Sequence, residues 1–304
     1  MLNTLFQMFA LIGMGLAWSI WNPGRLDSAL IRKVLTDTVY FIFLPALVFN
    51  ALWHAELGIA SLKIATIAAL CVISALLLSG FICRRCKTQP AVTGAILLAA
   101  AFPNATYLGY PLLKNTLGDW AGPVAIQFDL YACTPLLLTV GIMMAARMGG
   151  QQQQPHPLRL LVRVPPLWAA LIASVLNLLG VAPVAELSGL LNMMSAAVVP
   201  IMLFAIGLAL KQGFNQQAHF KTIIPVIVIQ LILMPLLALG AAQLMHMPTD
   251  LRTAVVLEAA MPSMALGVVL CDRYGLNSGI YAAAVTATTL LSIVSLPMWY
   301  SLLG

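Results

Sequence analysis

Residues 64–78 read Ile-Ala-Thr-Ile-Ala-Ala-Leu-Cys-Val-Ile-Ser-Ala-Leu-Leu-Leu. The run carries no charge, and its hydroxyls, Thr66 and Ser74, leave it apolar on every side. A helix of a soluble domain keeps one wet face, and a membrane β-strand alternates apolar with polar residues. This stretch does neither and reads as a helix in lipid. The whole chain has the same character. Hydrophobic residues are 62% of the 304 and charged residues 8%, against about 25% charge in a soluble domain, which must wet its surface. Fifteen basic and nine acidic side chains cannot coat a water-facing sphere of this size. A sizeable soluble domain is excluded. The net charge of +6 needs no nucleic acid to explain it, because excess Lys and Arg set the orientation of a membrane protein.

At roughly 20 residues per crossing, the apolar runs fall at about 2–21, 33–53, 60–82, 91–114, 122–146, 160–180, 187–210, 222–245, 250–271 and 278–302. The start, which lacks a basic n-region, reads as a retained first span. One alternate set of connections holds Arg25, Arg32, Lys33, Arg84, Arg85, Lys87, Arg147, Arg159, Arg163, Lys211, Lys221 and Arg273. The other holds Lys63, Lys114 and Arg252. The split of 12 to 3 puts the first set in the cytoplasm and both termini outside. Asp37, near the expected start of span two, reads as an acid on a helix N-terminus.

Gly149-Gly150-Gln151-Gln152-Gln153-Gln154-Pro155-His156-Pro157 lies between spans five and six. Such a stretch cannot bury enough apolar area to fold. It reads as a cytoplasmic linker, 148–158, between halves 1–147 and 159–304. The halves break alike: Pro45, Pro103 and Pro135 are spaced by 58 and 32 residues, and Pro200, Pro262 and Pro297 by 62 and 35. Five spans per half insert the second half upside down, which is the inverted repeat of secondary transporters. The expected fold is an all-α integral membrane protein of ten helices in two inverted five-helix repeats, with broken crossover helices four and nine.

Pro103 and Pro262 fall near the middle of their spans. Around them stand Phe102-Pro103-Asn104-Ala105-Thr106-Tyr107-Leu108-Gly109-Tyr110-Pro111 and Met261-Pro262-Ser263-Met264-Ala265-Leu266-Gly267. Helices broken there free backbone groups, tolerated in a membrane where they line a cavity. The half-helix N-termini carry partial positive charge. Two breaks crossing at the midplane make an anion site. Asn104, with two donors and an acceptor, is the first candidate to hold substrate. Tyr107, Pro103, Pro262 and Ser263 complete the set.

The run Phe43-Leu44-Pro45-Ala46-Leu47-Val48-Phe49, the stretch Asn104 to Pro111, Leu117-Gly118-Asp119, and Ala265 to Tyr274-Gly275 resemble the auxin efflux carrier family over nearly the whole chain. The resemblance implies a scaffold helix set beside a crossover pair from spans four and nine. It implies auxin-like acids, malate or malonate as the kind of substrate. The long cytoplasmic loop of many plant members is missing here, and Ser263 stands where some members carry Asn.

Ionisable groups inside spans are functional by default. Asp129 lies in span five and Glu258 one turn before Pro262, with no Lys or Arg at either depth. Both are the candidate coupling residues. The competing role is a protonated acid bonded to a carbonyl freed by a break. Gln127 and Tyr131 share a face of span five, and Thr288, Ser292 and Ser295 form a polar stripe on span ten; packing accounts for both. Cys83 and Cys86 have no His or second Cys pair near them, so neither a metal nor a cofactor is expected.

His-Glu-x-x-His, Gly-x-Ser-x-Gly and a Walker motif are all missing, so an enzyme is not expected. The sequence predicts a secondary active transporter or facilitator of small organic anions, multi-pass in the cell membrane. A sodium-coupled bile-acid-type symporter and a non-transporting membrane sensor are the alternatives. The expected partners are a small organic anion, the lipid bilayer and a coupling proton or sodium ion, with room for a homodimer and none for nucleic acid.

Overall fold

The computed structural model describes residues 1–151, 156–214 and 220–303. Gln152 to Pro155 of the expected linker lie outside the described residues. Within them the chain is helical: α1 Leu2–Trp21, α2 Ser28–Trp53, α3 Ile59–Arg85, α4 Pro90–Ala101, α5 Tyr110–Leu117, α6 Asp119–Met148, α7 Pro157–Val162, α8 Pro165–Leu178, α9 Ala185–Phe214, α10 Lys221–Leu244, α11 Thr249–Ala259, α12 Gly267–Tyr274 and α13 Ser278–Leu303. Seven of these, α1, α2, α3, α6, α9, α10 and α13, are long and apolar enough to cross a membrane. They coincide with seven of the expected runs. The runs expected at 91–114, 160–180 and 250–271 are each interrupted, at 102–104, 163–164 and 260–266. Span two begins earlier than expected. Asp27 caps it by accepting from the Ala29 N–H at 3.0 Å, so Asp27, and not Asp37, is the acid at that N-terminus.

Proline sets the local geometry of four helices. The π turns Val39–Phe43, Ala105–Gly109, Asp129–Cys133 and Ile229–Leu233 each end two residues before a proline: Pro45, Pro111, Pro135 and Pro235. Proline has no N–H for the carbonyl four residues back, and its ring crowds that carbonyl. One wider turn relieves the clash without opening the helix to lipid. Pro200 and Pro297 instead lie inside continuous helices. The expected matches Pro45 with Pro200 and Pro135 with Pro297 therefore do not extend to backbone geometry.

Helices α1, α2, α8 and α9 pack as one group, and α3 to α6 pack with α10 to α13 as another; the groups meet where α9 lies against α13 and where α2 and α8 touch α6. At Gly15 and Gly207 the α1–α9 seam brings backbone against backbone. A Cβ on Gly207 would stand 2.9 Å from the Gly15 Cα and inside the Ile12 carbonyl oxygen. Glycine at both positions lets the backbones touch, as small residues do in lipid-embedded helix pairs. Side chains close the free helix ends. Lys211 Nζ donates to the Ser19 carbonyl near the end of α1, and Lys63 Nζ to the Met245 carbonyl after α10, both at 2.7 Å. Each cation thereby meets the negative end of a helix dipole.

The seam yields a prediction. Gly207→Leu should separate α1 from α9 and lower the resistance to unfolding in SDS by about 1–3 kcal/mol. Gly189→Ala on the same helix should stay within about 0.5 kcal/mol of the parent, since nothing lies within 4 Å of a Cβ there. Equal SDS-unfolding midpoints for the two variants would count against the backbone contact.

Candidate functional site at the crossing of two broken helices

Pro103 and Pro262 stop their helices by the same route. Neither can donate an N–H, and each bars the residue before it from easy helical geometry. Phe102 is accordingly extended, with φ −115° and ψ 104°. The two extended segments meet in an antiparallel bridge between Pro103 and Ser263. The Asn104 N–H donates to the Pro262 carbonyl at 2.7 Å, and the Met264 N–H to the Phe102 carbonyl at 3.0 Å. Each broken helix thus satisfies backbone groups of the other where water is scarce.

Side chains take up the rest. Ser263 Oγ donates to the Ala99 carbonyl at 2.6 Å. In an unbroken helix that carbonyl would receive the N–H of residue 103, which proline lacks, so Ser263 supplies the missing proton. Thr288 Oγ1 accepts from the Ser263 N–H at 3.2 Å, Gln230 Nε2 donates to the Met261 carbonyl at 2.8 Å, and the Tyr281 hydroxyl donates to the Met264 carbonyl at 2.9 Å. The expected polar stripe on span ten therefore divides: Thr288 serves the crossing, while Ser292 bonds within its own helix. Gln230 was readable in advance as the one amide in the apolar stretch 223–242. Tyr281 carried no signal, because its partner is exposed only by the break.

Among the expected site residues, the backbone of Pro103, Asn104, Pro262 and Ser263 forms the crossing itself. The Asn104 side chain is buried at 3% exposure, and its Nδ2 has no partner. Tyr107 is buried beside it in the π turn Ala105–Gly109. Glu258 is fully buried, with no hydrogen bond to either carboxyl oxygen. Its carboxyl occupies the space a Cβ on Gly109 would need, so an acid from α11 sits on the first broken segment. The expected carbonyl partner for the acids is not found. Asp129 is instead held by two hydroxyls, Thr106 Oγ1 and Thr134 Oγ1, the latter at 2.8 Å. It stays partly exposed. Its titratable neighbours are Tyr40, Tyr107, Cys133 and Glu258. Neither acid forms an ion pair with Lys, Arg or His among the described residues.

Gln127 is buried with its Oε1 unpaired, whereas Tyr131 turns to α8, its hydroxyl 2.6 Å from Ser174 Oγ. Tyr131 lies within the π turn Asp129–Cys133, which begins after Gln127. Tyr131 and Ser174 line a cavity of about 400 Å³ between α6 and α8. A second cavity, of about 590 Å³, opens between the end of α3 and the starts of α4, α10 and α13. Neither is lined by Asn104, Ser263 or Glu258. All three side chains are buried.

The model of a family described as "Membrane transport protein" matches residues 2–300. An "Uncharacterized transporter" of Methanothermobacter thermautotrophicus is 28% identical over 98% of this chain and 96% of its own. The "Uncharacterized transporter YfdV" of Escherichia coli K12 is 23% identical over 84% and 83%. A "Putative malonate transporter" of Rhizobium meliloti is 29% identical over 86% and 83%. A family match that runs through both broken helices places the chain: it belongs to the auxin efflux carrier family of membrane transport proteins.

Proposed function

We propose that this multi-pass membrane transporter carries small organic anions, carboxylates such as malonate, malate or auxin-like acids, across the cell membrane by alternating access. The observation that carries the reading is the unpaired, buried Asn104 amide at the crossing. It stands at the N-terminus of the helical stretch that follows the first break, which begins at Ala105. Helix N-termini favour negative charge, and a buried donor with no partner is satisfied by an incoming acceptor. Substrate is held by Asn104 and Tyr107 on a frame made by Pro103, Pro262 and Ser263. The malonate named for one relative supports a carboxylate. The candidates for coupling are Asp129 and Glu258, neither of which forms an ion pair among the described residues.

In this reading the chain crosses the membrane ten times, as two inverted five-helix repeats, 1–147 and 159–304, joined by the linker 148–158. Both termini are extracytoplasmic. The 12-to-3 division of Lys and Arg supports that orientation.

Three measurements test the proposal. Radiolabelled carboxylates should enter proteoliposomes containing the purified protein, with an imposed pH or sodium gradient as separate arms. No flux of any acid would favour a sensor, and flux that follows sodium alone would favour the bile-acid-type symporter. Asn104→Ala should weaken binding of the transported acid by roughly 10- to 150-fold, which corresponds to about 1.5–3 kcal/mol for a hydrogen bond to a charged group. Unchanged affinity in folded protein would remove Asn104 from the site. In a cysteine-free background, Gln152→Cys should be labelled from the cytoplasm and Thr249→Cys from outside; labelling of both from one side would defeat the ten-span topology.

A further inference from the structure

Asp129 and Glu258 share a neighbourhood without a cation, yet differ in what touches them. Glu258 has no exposed surface and no hydrogen-bond partner, and it is wedged against Gly109. A proton on it has no visible route in or out. Asp129 is partly exposed and touches the crossing directly, because Thr106, two residues past Asn104, bonds its Oδ2 while Thr134 bonds its Oδ1. Three π turns gather around it. Val39–Phe43 brings Tyr40, Ala105–Gly109 brings Thr106 and Tyr107, and Asp129–Cys133 carries the acid itself. The titratable groups facing it are Tyr40 from α2, Tyr107 from the first broken segment, Cys133 from its own helix and Glu258 from α11. Cys71 from α3 lies near Cys133. None of these is a cation.

An anion drawn to Asn104 would therefore meet a carboxylate within the same polar cluster. Resting on the reading of this chain as an anion carrier, we propose that Asp129 takes up the proton that accompanies each substrate anion, that Thr106 relays the change to the crossing, and that Glu258 stays neutral and does not exchange. While Asp129 is ionised, its oxygens accept from both threonines, and the single proton of Thr106 is committed to it. A proton taken from water onto Oδ2 reverses that bond. Asp129 then donates to Thr106 Oγ1, and the Thr106 proton is free to turn towards a substrate carboxylate at Asn104. The only covalent bond made is the carboxyl O–H. It breaks again, returning the proton to water, when the anion leaves. The site accepts an anion when neutral and repels it when charged.

The test reads the proton before it reads transport. The purified full-length protein in lipid nanodiscs is titrated by infrared difference spectroscopy. A protonated-carboxyl band should fade as pH rises. It should shift when the chain carries aspartate ¹³C-labelled at the side-chain carboxyl, and not when glutamate is so labelled. It should be lost in Asp129→Asn and kept in Glu258→Gln. The isotope arm needs no variant to fold. A titrating band that follows the glutamate label, or that survives Asp129→Asn, overturns the assignment. In proteoliposomes, [¹⁴C]malonate uptake should rise with an inside-alkaline gradient. Thr106→Val should lower that gradient-driven uptake at least tenfold while leaving the Asp129 band in place. Undiminished uptake in Thr106→Val overturns the relay. An Asp129 band that titrates as expected in a protein that moves no malonate counts against the carrier reading and leaves the proton site standing.

Discussion

The main-chain bridge between residues 102–104 and 262–264 is the constraint on which the rest of the molecule depends. A helix broken at mid-span exposes donors and acceptors that cost several kcal/mol each if they face lipid. Neither break is tenable alone. Crossed, each segment gives the other an N–H and takes one in return. The surrounding side chains follow from that choice. Ser263 replaces the proton missing from Pro103, Gln230 covers the Met261 carbonyl, Tyr281 covers that of Met264, and Thr288 receives the N–H of Ser263. With these demands met inside the protein, the Asn104 amide remains a buried donor without a partner.

The same economy explains where the acids lie. A carboxyl near the crossing must pack against backbone that has no side chain in the way, and Gly109 provides that seat for Glu258. Asp129 occupies a different niche, a π turn whose extra residue turns the chain so that Thr106 and Thr134 both reach it. π turns recur at functional sites in helices. Here the demand of Pro135 for a wider preceding turn gives one a local cause.

Much of this was legible in the residues. Pro103 and Pro262, set among small polar residues in otherwise apolar runs, announced both breaks, and the 62% hydrophobic composition left only lipid as the solvent. Helix ends were less legible: span two starts at Ser28 because Asp27 caps it, a local hydrogen bond that hydropathy does not register. The carboxyl partners were not legible at all. Thr106 and Thr134 are 23 and 5 residues from Asp129, and Gly109 is far from Glu258 along the chain. Contacts that depend on how two halves cross leave no spacing pattern in either half. The proline correspondence also promised more than it delivered, since Pro45 and Pro135 widen their helices and Pro200 and Pro297 do not.

The central claim is that the amide left unpaired by the crossing is what a carboxylate binds. Solid-state NMR of protein labelled with ¹⁵N at asparagine side chains tests it directly, using the ¹³C-carboxyl form of an acid that the flux assay shows to be carried. The account predicts a carbon–nitrogen dipolar coupling of hydrogen-bond range that vanishes in Asn104→Asp. A bound acid that shows no coupling to any asparagine side chain, or a coupling that persists in that variant, would contradict it.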